Sequence, residues 1–305
     1  MLHAPGFDLK KSVQSGQAFR WKEEGDGLWL GICRSHPVLL RQEGELLYGT
    51  ADLPEAEAGP FWQNYLGIDR DYTPMEKLLE EDPCTAPCLP YSRGIRIFRQ
   101  EAYETLISFI LSANNNVRRI SKTIESICKR FGDPVELCGR QFFSFPGATV
   151  LSSLSPQQLT DCGAGYRAPY VVQSARRIAE GYDLERLRSL DFDAVKKELL
   201  SFSGVGPKVA ECIMLFSLDC ERAFPVDVWV NRIVQYLYPG EEGRKAARAA
   251  AERFGCWAGA AQQYLFHYAR CVGLGKPKKP SVKPTKTAST EKTKISISST
   301  GGIGT

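Results

Sequence analysis

Near residue 95 the spacing of apolar residues changes, and that change limits the fold more than any other feature. Before it, four short runs alternate apolar and polar positions: "QAFRWK" (17–22), "GLWLGIC" (27–33), "PVLLRQ" (37–42) and "ELLYGT" (45–50). Turn-forming stretches such as "EEGDG" and "EGE" separate them, which predicts a β meander. "FWQNYLG" and "PMEKLLEE" read as short helices, and "EDPCTAPCLPYSRG", with three prolines and a glycine, as a crossing between domains. After it, the period is 3.6: "EAYETLISFILSANNN", "RRISKTIESICKRFG", "APYVVQSARRIAEG", "DFDAVKKELLSF" and "PKVAECIMLFSL" each place apolar residues on one helical face. The expected fold is α+β. A small antiparallel β-rich domain (residues 1–92) precedes an all-α domain (93–275), whose length suits a single domain.

The charge divides along the same lines. Residues 1–92 carry eight basic and fifteen acidic side chains, a net of −7, while residues 93–275 carry 24 and 19, a net of +5. A basic helical part beside an acidic β part suggests that the helices meet a polyanion. Residues 276–305 add seven lysines and one glutamate, three prolines and no aromatic residue. Such a composition cannot bury a core, so a basic, disordered tail is expected. No apolar run is long enough to span a bilayer, and the N-terminus lacks a signal-peptide pattern. An intracellular protein is therefore expected, its ten cysteines reduced rather than paired. The cysteines form no pair of C-x-x-C motifs, and only Cys256 and Cys271 fall late in the chain. Neither a metal site nor a late iron–sulfur cluster is expected from them.

One helix connection stands out: "SFSGVGPKVAECI", residues 201–213. Helix, Gly204-Val205-Gly206, helix is a helix–hairpin–helix layout. Two glycines there permit positive φ, and amides at the start of the next helix form an anion site suited to a phosphate. Lys208 opens that next helix, where the macrodipole disfavours a cation. A residue that must be neutral to act as a nucleophile would suit such a place. Asp227 follows 19 residues later in "FPVDVWVNRI", at or near another helix N-terminus, where a carboxylate is favoured. Taken alone, Asp227 reads equally as an ordinary N-cap.

The combination "LLSFSGVGPKVAECI…AFPVDVWVNRI" resembles the helix–hairpin–helix, Gly/Pro-Asp superfamily of DNA glycosylases. Further stretches across residues 8–275, "SGQAFRW", "SANNNVRRI", "GAGYRAPY" and "QQYLF", are similar to motifs of the 8-oxoguanine DNA glycosylases. The resemblance implies a bifunctional DNA glycosylase and abasic-site lyase. Lys208 would form a Schiff base and Asp227 would be catalytic. It implies a base pocket from Gly16, whose carbonyl would accept from N7 of the lesion, and from Cys212, Gln262 and Phe266. Spacing is compatible with this: Lys208 and Cys212, and Gln262 and Phe266, each lie four apart on a helix. A thiol and an aromatic ring could then sandwich a flipped base, with the glutamine amide reading its edge.

Duplex contacts implied by the resemblance are Asn114, filling the gap, Arg119, reading the opposite base, and Tyr166 as wedge with Arg167 beside it. The hairpin residues Gly204, Val205 and Gly206 would grip the backbone. Where eukaryotic relatives have a histidine and an acid, this chain has Trp229 and Ala269, so a phosphate contact would fall to the Trp229 indole. The implied partner is double-stranded DNA with 8-oxoguanine opposite cytosine, bound by a monomer that needs no cofactor, no iron–sulfur cluster and no membrane. The implied location is the cytoplasm of a bacterium, at the nucleoid, or a eukaryotic nucleus. Two other readings stay open at this level: a glycosylase for alkylated bases, and a helix–hairpin–helix module that binds DNA without catalysis.

Overall fold

The computed structural model describes residues 1–239 and 243–274. The tail from residue 276, and the expectation of disorder there, lie outside the described residues. Strands β1 (Leu2–His3), β2 (Trp21–Gly25), β3 (Leu28–Cys33), β4 (His36–Glu43) and β5 (Leu46–Ala51) form one antiparallel sheet, ordered β1-β5-β4-β3-β2. Helix α1 (Leu9–Gln14), capped by Asp8, sits between β1 and β2. Helices α2 (Glu55–Leu66), α3 (Thr73–Glu81) and α4 (Leu89–Ser92) follow the sheet. The stretch read from sequence as a crossing thus contains a helix, because Pro87 and Pro90 fall in first turns, where a missing N–H costs nothing.

The helical part contains α5 (Ala102–Ser112), α6 (Val117–Phe131), α7 (Ala148–Ser153), α8 (Pro156–Asp161), α9 (Ala168–Ala179), α10 (Phe192–Leu200), α11 (Pro207–Ser217), α12 (Val228–Leu237), α13 (Gly243–Phe254) and α14 (Ala258–Val272). Between α6 and α7 lies a feature that the helical period hides. It is a two-stranded ribbon, β6 (Pro134–Leu137) and β7 (Arg140–Phe143), turning on Cys138 and Gly139 at φ 53° and 69°.

Three cores hold these elements. One lies under the sheet, with Trp29, Val38 and Leu47 against Trp62, Leu66 and Phe98. A second joins α5, α6, α9, α10 and α11. The third joins α3 and α4 to α12, α13 and α14. Chain order and packing therefore differ: Met75, Leu79 and Leu89 bury against the last helices of the chain. The segment from Gly94 to Gln100 threads between the cores, with Ile95 in the third and Phe98 in the first.

Gln17 fixes that segment. Its amide Nε2 donates to the carbonyls of Ser12 (3.0 Å) and Arg96 (2.8 Å), and its Oε1 accepts from the Phe98 amide (2.7 Å). Gln100 Nε2 donates back to the Gln17 carbonyl at 2.8 Å. The Gln17 side chain is fully buried, so each of these groups would lack water if the amide were removed. Gln17→Leu is expected to lower the unfolding free energy by about 3 kcal/mol, because several buried partners lose their hydrogen bonds together. Urea unfolding monitored by tryptophan fluorescence checks this; a loss below about 1 kcal/mol would show that the segment holds without it.

Candidate active site

The hairpin is built as the sequence suggested in one half and differently in the other. Gly204 has φ +80°, and a Cβ there would lie 2.9 Å from the Tyr170 ring. Gly206 is extended (φ −94°) and serves as the N-cap position of α11, with open space where a side chain would stand. Only one glycine is thus needed for its backbone conformation. Val205 is not part of an exposed cradle: its side chain is buried in the core, and its amide donates to the Phe202 carbonyl at 3.1 Å. Among the described residues, the amides of Gly206, Lys208 and Val209 donate to no backbone carbonyl outside the helix ladder, as the first turn of a helix requires. With Pro207 at the first helical position, these three amides stand at the positive end of the α11 dipole.

Lys208 stands in the first turn of α11, half-buried, with its Nζ 5.2 Å from the centre of the Phe109 ring. Phe109 comes from α5, and nothing in the lysine motif points to it. One turn on, Cys212 is buried, and burial pushes its thiol pKa up. The charge of Lys208 acts against that shift and the charge of Asp227 adds to it. Asp227 is the N-cap of α12, and its Oδ1 accepts from the Val230 amide at 2.8 Å. The cap reading therefore holds, and the cap uses Oδ1 alone.

Gly16 and Phe266 come together from opposite ends of the chain. Gly16 has φ +83°, and a Cβ on it would lie 3.4 Å from Phe266 Cε1. Gln262, one turn before Phe266 on α14, is buried, and its Oε1 accepts from the neighbouring Gln263 Nε2 at 2.8 Å. Cys212 packs in the α5–α11 core and Phe266 against the α12–α14 core. Trp229 is half-buried in the first turn of α12, with the Arg232 guanidinium 5.8 Å from its ring centre. Ala269, in place of the acid, is fully buried among apolar residues.

The asparagine run does three separate jobs. Asn115 Nδ2 donates to the Leu111 carbonyl (3.1 Å) at the end of α5, and Asn116 caps α6 by accepting from the Arg119 amide (3.0 Å). Asn114, between them, is exposed and takes a left-handed φ of 49°, which asparagine tolerates better than most residues. The Arg119 side chain is exposed on the first turn of α6. Tyr166 is 57% exposed at the tip of a 3₁₀ turn, Gly165–Arg167, and its hydroxyl reaches the Ala113 carbonyl (3.3 Å). Arg167, beside it, is only 7% exposed, and its guanidinium turns inward to the Ala113 and Asn114 carbonyls, with Nε 2.7 Å from the former. Beneath Tyr166, at 4.3 Å from the ring centre, it ties the tyrosine loop to the asparagine loop.

Among the described residues, no group of three or more His, Cys, Asp or Glu side chains is placed to hold a metal ion, and no helix is long and apolar enough to cross a membrane.

Comparison with known proteins matches residues 2–106 to the 8-oxoguanine DNA glycosylase N-terminal domain and residues 107–256 to the HhH-GPD superfamily of base excision DNA repair proteins. A probable N-glycosylase/DNA lyase of Methanothermobacter thermautotrophicus is 34% identical, over 88% of this chain and 95% of the relative. The N-glycosylase/DNA lyase of Saccharomyces cerevisiae is 33% identical over 75% and 68%. Among solved structures, the 8-oxoguanine glycosylase/lyase of Clostridium acetobutylicum, in complex with duplex DNA containing cytosine opposite 8-oxoG, superposes with a TM-score of 0.82. It is 38% identical, covering 88% of this chain and 93% of that one.

The hairpin geometry generates a prediction. Gly204→Ala is expected to lower the unfolding free energy by roughly 2 kcal/mol, from the positive φ and the contact with Tyr170. It should also weaken duplex binding, since the amides at the start of α11 would move with the turn. Urea unfolding and a binding titration at low salt measure the two effects; an alanine variant that matches wild type in both would leave the turn without that constraint.

Proposed function

This chain belongs to the N-glycosylase/DNA lyase family of base excision DNA repair proteins, and from that premise we propose how its own side chains excise 8-oxoguanine from duplex DNA and nick the strand. The observation that carries the reading is that Lys208 stands half-buried in the first turn of α11, one turn before the buried Cys212, with its Nζ 5.2 Å from the centre of the Phe109 ring. A module that only bound DNA would have no use for a half-buried amine where the helix dipole disfavours a cation.

Lys208 Nζ, as the neutral amine, forms a bond to C1′ of the damaged nucleoside while the bond from C1′ to the base breaks. The base leaves with the electron pair of that bond and takes up the proton that the attacking amine loses. Positive charge that develops on the sugar is stabilised by the Asp227 carboxylate. The sugar ring then opens to give the Schiff base, and loss of a C2′ proton to water expels the 3′ phosphate by β-elimination. Water hydrolyses the Schiff base and returns Lys208. An amine, a carboxylate and water supply every bond change, so the reaction as proposed calls for no cofactor and no iron–sulfur cluster.

Recognition in this reading falls to a pocket with Gly16 and Phe266 on one side and Cys212 on the other. The Gly16 carbonyl accepts from the N7 proton that distinguishes 8-oxoguanine from guanine, and Gln262 reads the Watson–Crick edge. The amides of Gly206, Lys208 and Val209 take a backbone phosphate. Tyr166 wedges the stack, Asn114 fills the gap, and Arg119 reads the opposite base. Trp229 offers its indole N–H to the backbone. A monomer is enough for all of these roles, and the location proposed is wherever the genome lies.

Two outcomes are expected. Lys208→Gln abolishes both base release and borohydride trapping, while lesion binding stays within roughly fivefold, because binding rests on the backbone and pocket contacts. Trapping at the wild-type level by this variant would assign the nucleophile elsewhere. Cytosine presents O2 and N3 acceptors to the donor fork of Arg119, whereas adenine opposes it with an N6 donor, a mismatch of about 1–3 kcal/mol. The wild-type protein should therefore process the lesion faster opposite cytosine than adenine. Arg119→Ala should narrow that ratio about tenfold in single-turnover assays on the two duplexes. Equal wild-type rates, or a ratio the variant leaves alone, would return Arg119 to an ordinary surface charge.

A further inference from the structure

We infer that Arg270 is a positioning residue for the base pocket, a clamp that holds Phe266 and the Gly16 turn at a fixed separation. The inference rests on the proposed use of Gly16 and Phe266 to hold the lesion and adds a residue to it.

Arg270 lies in the last turn of α14, one turn after Phe266, where a cation is favoured by the helix dipole. Two contacts make it more than a dipole partner. Its guanidinium lies over the Phe266 ring at 5.5 Å from the ring centre. Its Nη1 donates to the Gln14 carbonyl at 3.0 Å, across 256 residues of sequence. Gln14 ends α1, so this carbonyl is one of those a helix terminus leaves without an internal partner. Two residues on is Gly16, and a Cβ there would lie 3.8 Å from the same Nη1 and 3.4 Å from Phe266 Cε1.

Arg270 thus touches both parts of the pocket wall. The bond to Gln14 sets how far α14 stands from the α1–Gly16 turn. The planar guanidinium limits the rotation of the Phe266 ring by covering one face. A stacked base needs that ring in one orientation and the Gly16 carbonyl at one distance, and a single side chain secures both. Cleavage at a site that has already lost its base needs Lys208 but no base pocket, so the two activities should respond differently to loss of the clamp.

The test compares the full wild-type chain with Arg270→Ala and Arg270→Lys in single-turnover assays on two duplexes. One contains 8-oxoguanine opposite cytosine and the other a preformed abasic site. On the lesion duplex, Arg270→Ala should raise the half-saturating enzyme concentration about tenfold while the maximal rate stays within about threefold. On the abasic duplex both quantities should change less than about twofold. Arg270→Lys should recover part of the lost affinity, because it keeps a donor for Gln14 but covers less of the ring. Equal losses on both duplexes would mark a merely structural residue, and an unchanged half-saturation on the lesion duplex would remove Arg270 from the pocket; either overturns the clamp. A wild-type protein that cleaves the abasic duplex yet releases no 8-oxoguanine overturns the substrate reading beneath it, and the clamp with it.

Discussion

The site depends first on the buried amide of Gln17. A glutamine side chain offers a donor group and an acceptor in one plane, and here they reach the Arg96 carbonyl and the Phe98 amide, which no regular element satisfies. The segment from Gly94 to Gln100 is not a strand of the sheet, yet it passes between cores with Gly94, Ile95, Arg96 and Phe98 buried. Gln17 stands in for the missing strand partner. Because Gln17 follows Gly16 directly, the contact that joins the sheet-bearing part to the helices also sets where Gly16 meets α14.

A second junction uses one carbonyl. Ala113, at the end of α5, accepts from the Tyr166 hydroxyl and from two nitrogens of Arg167. Two loops 53 residues apart are thereby held as one surface, with Asn114 and Tyr166 both outward. The inward arginine costs no unpaired charge-bearing donor on the loop side, since carbonyl dipoles meet it. Rigid placement of two exposed groups by one buried one is what a surface needs if it is to enter a base stack without collapsing onto itself.

The period change near residue 95 and the lysine at the start of α11 were legible because each depends on neighbours within one helical turn. The β6–β7 ribbon was not, since its turn is Cys138-Gly139 and lacks the Asn-Gly or Asp-Gly pair that marks such turns most strongly. The packing of α3 and α4 on the last helices was hidden for a different reason: amphipathic faces say that a helix is covered, not by what. The site divides in the same way. Lys208, Asp227 and the hairpin could be placed from spacing and resemblance, whereas Phe109 under the lysine and Arg270 over Phe266 come from tertiary contacts that leave no local pattern.

Asp227 caps α12 with the same side chain that is proposed to steady the sugar cation, and the cap needs only an oxygen at that position, not a charge. Cellular surveillance responds to exposed apolar surface and unfolded chain. A change that removed the charge while leaving the oxygen would give surveillance nothing to detect. Damage to this carboxylate is therefore separable from damage to the fold, and a chain carrying it would look intact to any sensor of folding.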